Sequence, residues 1–123
     1  MTARDWRTVL ICEDEANLRE LLRASLDGEY RFLEAATVAE ADEVLRGSDP
    51  DVVLLDLMLP GGSGLDVLRA VRRRPGRRIP VIVVSAWTTP EYRTAADETG
   101  ADAFLSKPFM PEEVAATVAQ LLQ

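Results

Sequence analysis

A chain of 123 residues, 47% apolar and 28% charged, is long enough to bury one core and too well balanced for wholesale disorder. Its formal charge of −7 makes nucleic acid and anionic membrane poor partners for the body of the domain, and suits a basic partner or a cation. With no histidine and a single cysteine there is no zinc-finger pattern, no Ser/His or Cys/His catalytic pair and no internal disulfide. No run approaches the ~20 apolar residues of a membrane span and no secretory leader opens the sequence, so we expect a cytoplasmic single domain over residues 1–123.

In chain order, TVLIC at residues 8–12 is a short aliphatic run without alternation, the pattern of a strand buried on both faces. Leu18, Leu21, Leu22 and Leu26 follow the i, i+3, i+4, i+8 spacing of a helical face. YRFLEA at 30–35 alternates only in part, as an edge strand does. Thr37 and Glu40 make a capping-box pattern before a helix carrying Ala41, Val44 and Leu45. VVLL at 52–55 is a second doubly buried strand, followed by the turn GGSG at 61–64. That turn lacks the spacing and lysine of a phosphate loop, and Ser63 is placed to cap the helix of Leu65, Leu68 and Val71. IPVIVV at 79–84 is a third doubly buried strand, Pro90 to Thr99 a weaker helix ending at Gly100, and AFLS at 103–106 a very short edge strand. Pro111 opens a last helix carrying Val114, Val118, Leu121 and Leu122.

A β-α unit repeated five times with ordinary loops predicts an α/β domain: a doubly wound five-stranded parallel sheet. The two less apolar strands are the second and fifth, which are the edges of the flavodoxin-like order 2-1-3-4-5. Two features read as structural. The six arginines of RAVRRRPGRR, residues 69–78, are expected to be a solvated helix C-terminus rather than a docking patch. Cys12 is expected to be a buried strand residue with no base to activate it.

Ligands of such sheets bind beyond the carboxyl ends of the strands. Glu13, Asp14 and Glu15 follow the first strand, Asp56 the third, Ser85 the fourth and Lys107 the fifth. Crowded carboxylates raise one another's pKa unless a cation intervenes. A hard divalent ion, Mg²⁺ or Mn²⁺, relieves that repulsion while keeping positions open for a phosphate. Lys107, the only lysine beside thirteen arginines, supplies a compact point charge where guanidinium would be a broad planar fork, and is expected on the side of the site opposite the metal. Asp56 is then the candidate nucleophile toward phosphorus, with Ser85 donating to a phosphoryl oxygen.

LICEDE, DVVLLDLMLPGGSGLDVL, VIVVSA and GADAFLSKPF, in this order and each at a strand end, resemble the response-regulator receiver domain of two-component signalling over nearly the whole chain. The resemblance implies a receiver fold and a phosphoacceptor that catalyses only its own phosphorylation and dephosphorylation. A sensor histidine kinase or histidine phosphotransfer protein would supply the phosphoryl group to Asp56, for an output partner the sequence leaves unnamed. It further implies Mg²⁺ held by Asp14, Asp56 and the backbone carbonyl of Met58, with Glu13 contributing directly or through water. Lys107 would contact the phosphoryl group, and Ser85 and Phe104 would form the moving switch. Pro108 would follow a cis bond, which X-Pro adopts at low cost. Met58 and Trp87 occupy the positions that influence phosphoaspartate lifetime, and their bulk leads us to expect slow hydrolysis.

The transcription-factor branch of the family uses an arginine in the last helix and a second acid after GAD for a salt-bridged dimer. Thr117 and Ala103 stand there in this chain, so that dimer is not expected. Two other functions compete: a Mg²⁺-dependent aspartyl-nucleophile phosphatase, which usually needs an acid where Met58 stands and a cap for which 123 residues leave no room, and a pseudo-receiver that only binds a partner, against which the full set of Asp14, Asp56, Ser85 and Lys107 argues.

Overall fold

A computed structural model describes residues 6–26, 28 and 30–123. Strands β1 (Arg7–Cys12), β2 (Tyr30–Ala35), β3 (Val52–Leu55), β4 (Val81–Ser85) and β5 (Ala103–Ser106) alternate with helices α1 (Ala16–Ser25), α2 (Val38–Gly47), α3 (Gly64–Arg72), α4 (Pro90–Thr99) and α5 (Pro111–Leu121). The strands pair in parallel in the order β2-β1-β3-β4-β5, as the polarity of the edge strands predicted. No helix among the described residues is long and apolar enough to cross a membrane.

Strand periodicity divides the core into two layers. Val9, Ile11, Val52, Leu54, Ile82 and Val84 face α1 and α5, where Leu22, Leu26, Val114 and Val118 meet them. Leu10, Cys12, Val53 and Leu55 face α2 and α3, against Ala41, Leu45, Leu68 and Val71. Each such side chain contributes about 1.5–3 kcal/mol by leaving water, and the three central strands gain it on both faces. The weaker helix α4 buries only Ala96 among its described residues, over a small cluster with Leu57 and Val83. It ends at Gly100 in the left-handed conformation, φ 107°, where a glycine carries no steric penalty.

Local expectations are corrected in four places. Leu21, assigned to the buried stripe of α1, is 41% exposed; the stripe is narrower and runs through Leu22 and Leu26. The fourth strand starts at Val81, not Ile79, because Pro80 has no N–H to give the ladder. At α2, Thr37 Oγ1 accepts from Glu40 N, but Glu40 Oε1 reaches back to Ala36 N and not to Thr37. The arginine run is solvated only in part, with Arg73, Arg77 and Arg78 exposed, and several of its members are also engaged: Arg72 donates to Gly100 O, Ile79 O and Asp102 Oδ2, Arg74 to Leu45 O and Ser48 O, Arg77 to Pro50 O and Asp51, and Arg78 to Gly100 O and Asp102. These side chains lace the amino end of the sheet to its neighbouring loops, because the carbonyls ending α2 and α4 lie within reach of guanidinium forks.

Candidate functional site

The sheet's hydrogen bonding continues one step past the strands, and this gathers the site. Glu13 N donates to Ala35 O at 3.0 Å, Asp56 N to Cys12 O at 3.0 Å, and Lys107 N to Ser85 O at 3.0 Å. The first polar residues after β1 and β3 and the lysine beyond β5 are therefore placed by the same ladder that orders the hydrophobic strands. A parallel sheet with its apolar runs in register delivers its chemistry to one edge.

Lys107 Nζ lies 2.6 Å from Glu13 Oε1 and 2.7 Å from Asp56 Oδ2. The lysine was expected opposite the acids, and it instead bridges two of them, because an ammonium can donate in three directions and two nearly buried carboxylates need a countercharge. The second oxygens are also held: Asp56 Oδ1 accepts from Met58 N at 2.9 Å and Glu13 Oε2 from Glu15 N at 3.0 Å. Burial pulls the Lys107 ammonium toward deprotonation, but its bonds to Asp56 and Glu13 outweigh this and hold its pKa above the ordinary lysine value. Burial pushes Glu13 up, with the Asp56 charge adding to the rise and Lys107 and the Glu15 amide opposing it.

Carboxylate oxygens of Glu13, Asp14 and Asp56 all lie within 4.8 Å of one another, with Asp14 exposed and the other two buried. Three hard oxygen donors converging on an open side fit a small divalent cation. Glu15 lies outside this group, and its amide serves Glu13. Ser85 is fully buried, and its Oγ accepts from Trp87 N at 3.1 Å. Met58 and Trp87 are 43% and 37% exposed and flank a cleft of about 400 Å³ shared with Leu57, Leu59, Pro60 and Ser63. Trp87 leans on Tyr92 of α4, with ring centroids 4.5 Å apart. Phe104 packs on the cluster of Leu57, Val83 and Ala96, under the Arg93 guanidinium at 4.7 Å. The Lys107–Pro108 peptide is cis.

Sequence reasoning passed over two supporting residues. Gly64, taken as part of a flexible turn, opens α3 against the backbone of the Asp56 loop: its amide donates to Leu57 O at 2.9 Å, and a Cβ there would sit 2.4 Å from Asp56 O and 2.6 Å from Leu57 Cα. The GGSG pattern pointed to that place, but only the fold shows what crowds it. Arg19, one of α1's ordinary charged residues by sequence, donates to the carbonyls of Glu13 and Asp14. Ser63, by contrast, caps α3 as expected, accepting from Leu65 N at 3.1 Å.

A doubly wound domain with buried acids, a bridging lysine and a hydroxyl at the carboxyl edge of its sheet defines an α/β domain whose donor set fits a cation and an anionic group together. Comparison with known proteins gives the family: its description, response regulator receiver domain, matches residues 9–119, and the chain belongs to it. The sequence is 36% identical over 119 residues to the phosphate regulon transcriptional regulatory protein PhoB of Pseudomonas aeruginosa, covering 95% of this chain and 52% of that protein. It is 38% identical over 113 residues to the DNA-binding response regulator MtrA of Mycolicibacterium paratuberculosis, covering 89% and 48%. The chain thus spans about half the length of these relatives. The chemotaxis response regulator CheY4 of Vibrio cholerae superposes with a TM-score of 0.87 at 28% identity, covering 95% of this chain and 99% of that one.

Proposed function

We propose that this receiver domain takes a phosphoryl group onto Asp56 from a phosphohistidine of a sensor kinase or phosphotransfer protein. The observation that carries the reading is the environment of the Asp56 carboxylate, nearly buried, bonded to Lys107 Nζ and Met58 N, and within 4.8 Å of the acids that follow β1. In the transfer, an Asp56 carboxylate oxygen forms a bond to phosphorus as the phosphorus–nitrogen bond of the donor breaks, and the imidazole keeps the bonding pair and takes up a proton. Glu13, Asp14, Asp56 and the Met58 carbonyl would hold Mg²⁺ or Mn²⁺, which supplies charge neutralisation of the phosphoryl oxygens. Lys107 holds a second positive charge beside the attacking carboxylate, and Ser85 Oγ, released from Trp87 N, donates to the incoming group. Phe104 follows Ser85 inward and changes the surface around α4, β5 and α5.

The negative charge of the domain supports a switch that contacts protein rather than nucleic acid or membrane, and Thr117 and Ala103, which stand where the dimerising branch carries an arginine and a second acid, support a domain that does not form the salt-bridged dimer through α4 and α5; the cytoplasm is its expected compartment. A phosphatase reading finds Met58 where its second acid would stand. The test is incubation with Mg²⁺ and acetyl phosphate followed by intact mass and site mapping. A gain of one phosphoryl group that disappears in Asp56→Ala is expected; no gain, or a gain surviving that substitution, rejects the assignment.

A further inference from the structure

The acids of the β1–α1 loop are aimed by a residue outside the loop. We propose that Arg19 is a positioning residue for cation binding, acting through the backbone on either side of Asp14. This rests on the reading above that Glu13, Asp14 and Asp56 hold Mg²⁺, and goes beyond it by assigning the aim of Asp14 to a side chain one turn into α1.

Arg19 Nη1 donates to Glu13 O at 2.8 Å and to Asp14 O at 3.2 Å. Those two carbonyls belong to the two peptide planes that flank the Asp14 Cα. Fixing both planes fixes the direction of the Cα–Cβ bond, and hence where an exposed carboxylate can point. The helix backbone does not reach these carbonyls, because its first bond, from Arg19 N at 3.0 Å, goes to Glu15 O. The guanidinium does what the helix ladder cannot do one residue earlier.

Arg19 is itself held. Its Nε donates to Glu34 Oε1 at 2.8 Å, and Glu34 lies on β2 opposite Ile11 of β1. The fork therefore bridges helix, loop and neighbouring strand, a geometry that a planar guanidinium supports and an ammonium does not. Arg23 shares the same carboxylate through Glu34 Oε2. It has the same charge and the same partner as Arg19 and, among the described residues, donates to neither loop carbonyl, which makes it the natural control. One carboxylate faces both guanidinium groups, so an effect of charge on Mg²⁺ would show in Arg23→Gln as well, whereas an effect of geometry belongs to Arg19 alone.

The experiment is a Mg²⁺ titration of the 123-residue chain followed by tryptophan fluorescence and repeated by calorimetry, with thermal midpoints recorded for every variant. Partners that orient metal ligands are typically worth 10–100-fold in affinity, so Arg19→Gln is expected to raise the Mg²⁺ Kd by about 10-fold. Arg23→Gln should stay within about twofold, and Arg19→Lys, which can reach a carbonyl but not bridge, should fall between them. A structural role alone would lower the thermal midpoints of Arg19→Gln and Arg23→Gln alike and leave Kd unmoved. Unchanged Kd in Arg19→Gln, or an equal loss in Arg23→Gln, overturns the proposal. If Arg19→Gln does not fold, Arg19→Lys decides by the same measure, and wild-type affinity in that variant overturns it. Wild-type protein that binds no Mg²⁺ and takes no phosphoryl group rejects the underlying site reading instead, a result distinct from a binding-competent wild type matched by its Arg19 variants.

Discussion

Lys107 Nζ lies 2.6 Å from Glu13 Oε1, so the lysine that follows β5 is joined across the central strands to the acid that follows β1. The same ammonium holds Asp56 at 2.7 Å. Glu13 is thereby shared: one of its oxygens faces the lysine, and the acid also belongs to the cluster that fits a cation. With side chains only 3% and 6% exposed, Glu13 and Asp56 would be costly as an unpartnered pair of charges, and Lys107 offsets part of that cost, Glu13 still being held above its ordinary pKa by burial.

This geometry makes charge alone insufficient at residue 107. A guanidinium is a broad planar fork, bulkier than the compact ammonium that sits between Glu13 and Asp56, and its charge is spread over three nitrogens instead of being placed at one point. We expect Lys107→Arg to slow phosphorylation by acetyl phosphate about 100-fold at fixed Mg²⁺, comparable to losing an oxyanion donor. Intact-mass time courses measure it, and a wild-type rate would show that any cation serves.

Met58 and Trp87 flank a cleft over the loop that follows Asp56, and Trp87 is steadied by Tyr92. Replacing Met58 and Trp87 together with alanine should open a path for water and speed loss of the phosphoryl group by about 10-fold, in the range by which a positioned or excluded water alters hydrolysis. Tyr92→Ala should move in the same direction by less. Decay of the phosphorylated mass after donor removal is the readout, and an unchanged half-life in the double variant would exclude shielding by these side chains.

Asp102 is a structural keystone at the other end of the sheet. Its carboxylate accepts from Arg72, Arg78 and Val81 N, while burial pulls the Arg72 pKa down against the restoring Asp102 charge. Asp102→Ala removes the anionic partner of Arg72, which keeps only the carbonyls of Gly100 and Ile79, and takes from Val81 N the carboxylate it donates to. A loss of about 2–3 kcal/mol, or roughly 10 °C in Tm, should follow. Arg73→Ala, on the exposed side of the same run, should change stability by less than about 0.5 kcal/mol; calorimetry that found the two variants equal would contradict the lacing role.

Burial, with the Asp42 charge adding to it, pushes the Cys12 thiol from 9.0 up to about 12. A raised pKa means that the folded state keeps a proton which the unfolded state releases. The contribution is therefore complete below pH 9 and is lost as pH rises toward 12, at about 1.4 kcal/mol per pH unit. Denaturant unfolding at pH 8, 9, 10 and 11 should show wild type losing about 3 kcal/mol more than Cys12→Ala by pH 11. Parallel pH profiles would place the thiol in a less buried setting than β1 gives it.

Much of the fold was legible because its cause is local. Three short apolar runs without alternation read as strands covered on both faces, and two more polar runs fit the edges, which agrees with the flavodoxin-like order of the sheet. The site was legible for a related reason: in a parallel α/β sheet every strand presents its carboxyl end to the same edge, so residues that follow the runs meet there whatever their separation in sequence. Asp56 and Lys107 are 51 residues apart, and their register in the sheet brings them together.

The sequence by itself determined the class of fold, which strands are the edges and which side chains stand at the carboxyl ends of the strands, since apolar periodicity and strand-end position are properties of neighbouring residues. Only the tertiary structure decided how those side chains pair. Lys107 had no sequence signal for Glu13 in addition to Asp56, the arginines of residues 69–78 had none for the carbonyls of distant loops, and Arg19 looked like any charged residue on a helix. Each of these depends on distances between elements, and those distances are set by how the helices pack on the two faces of the sheet.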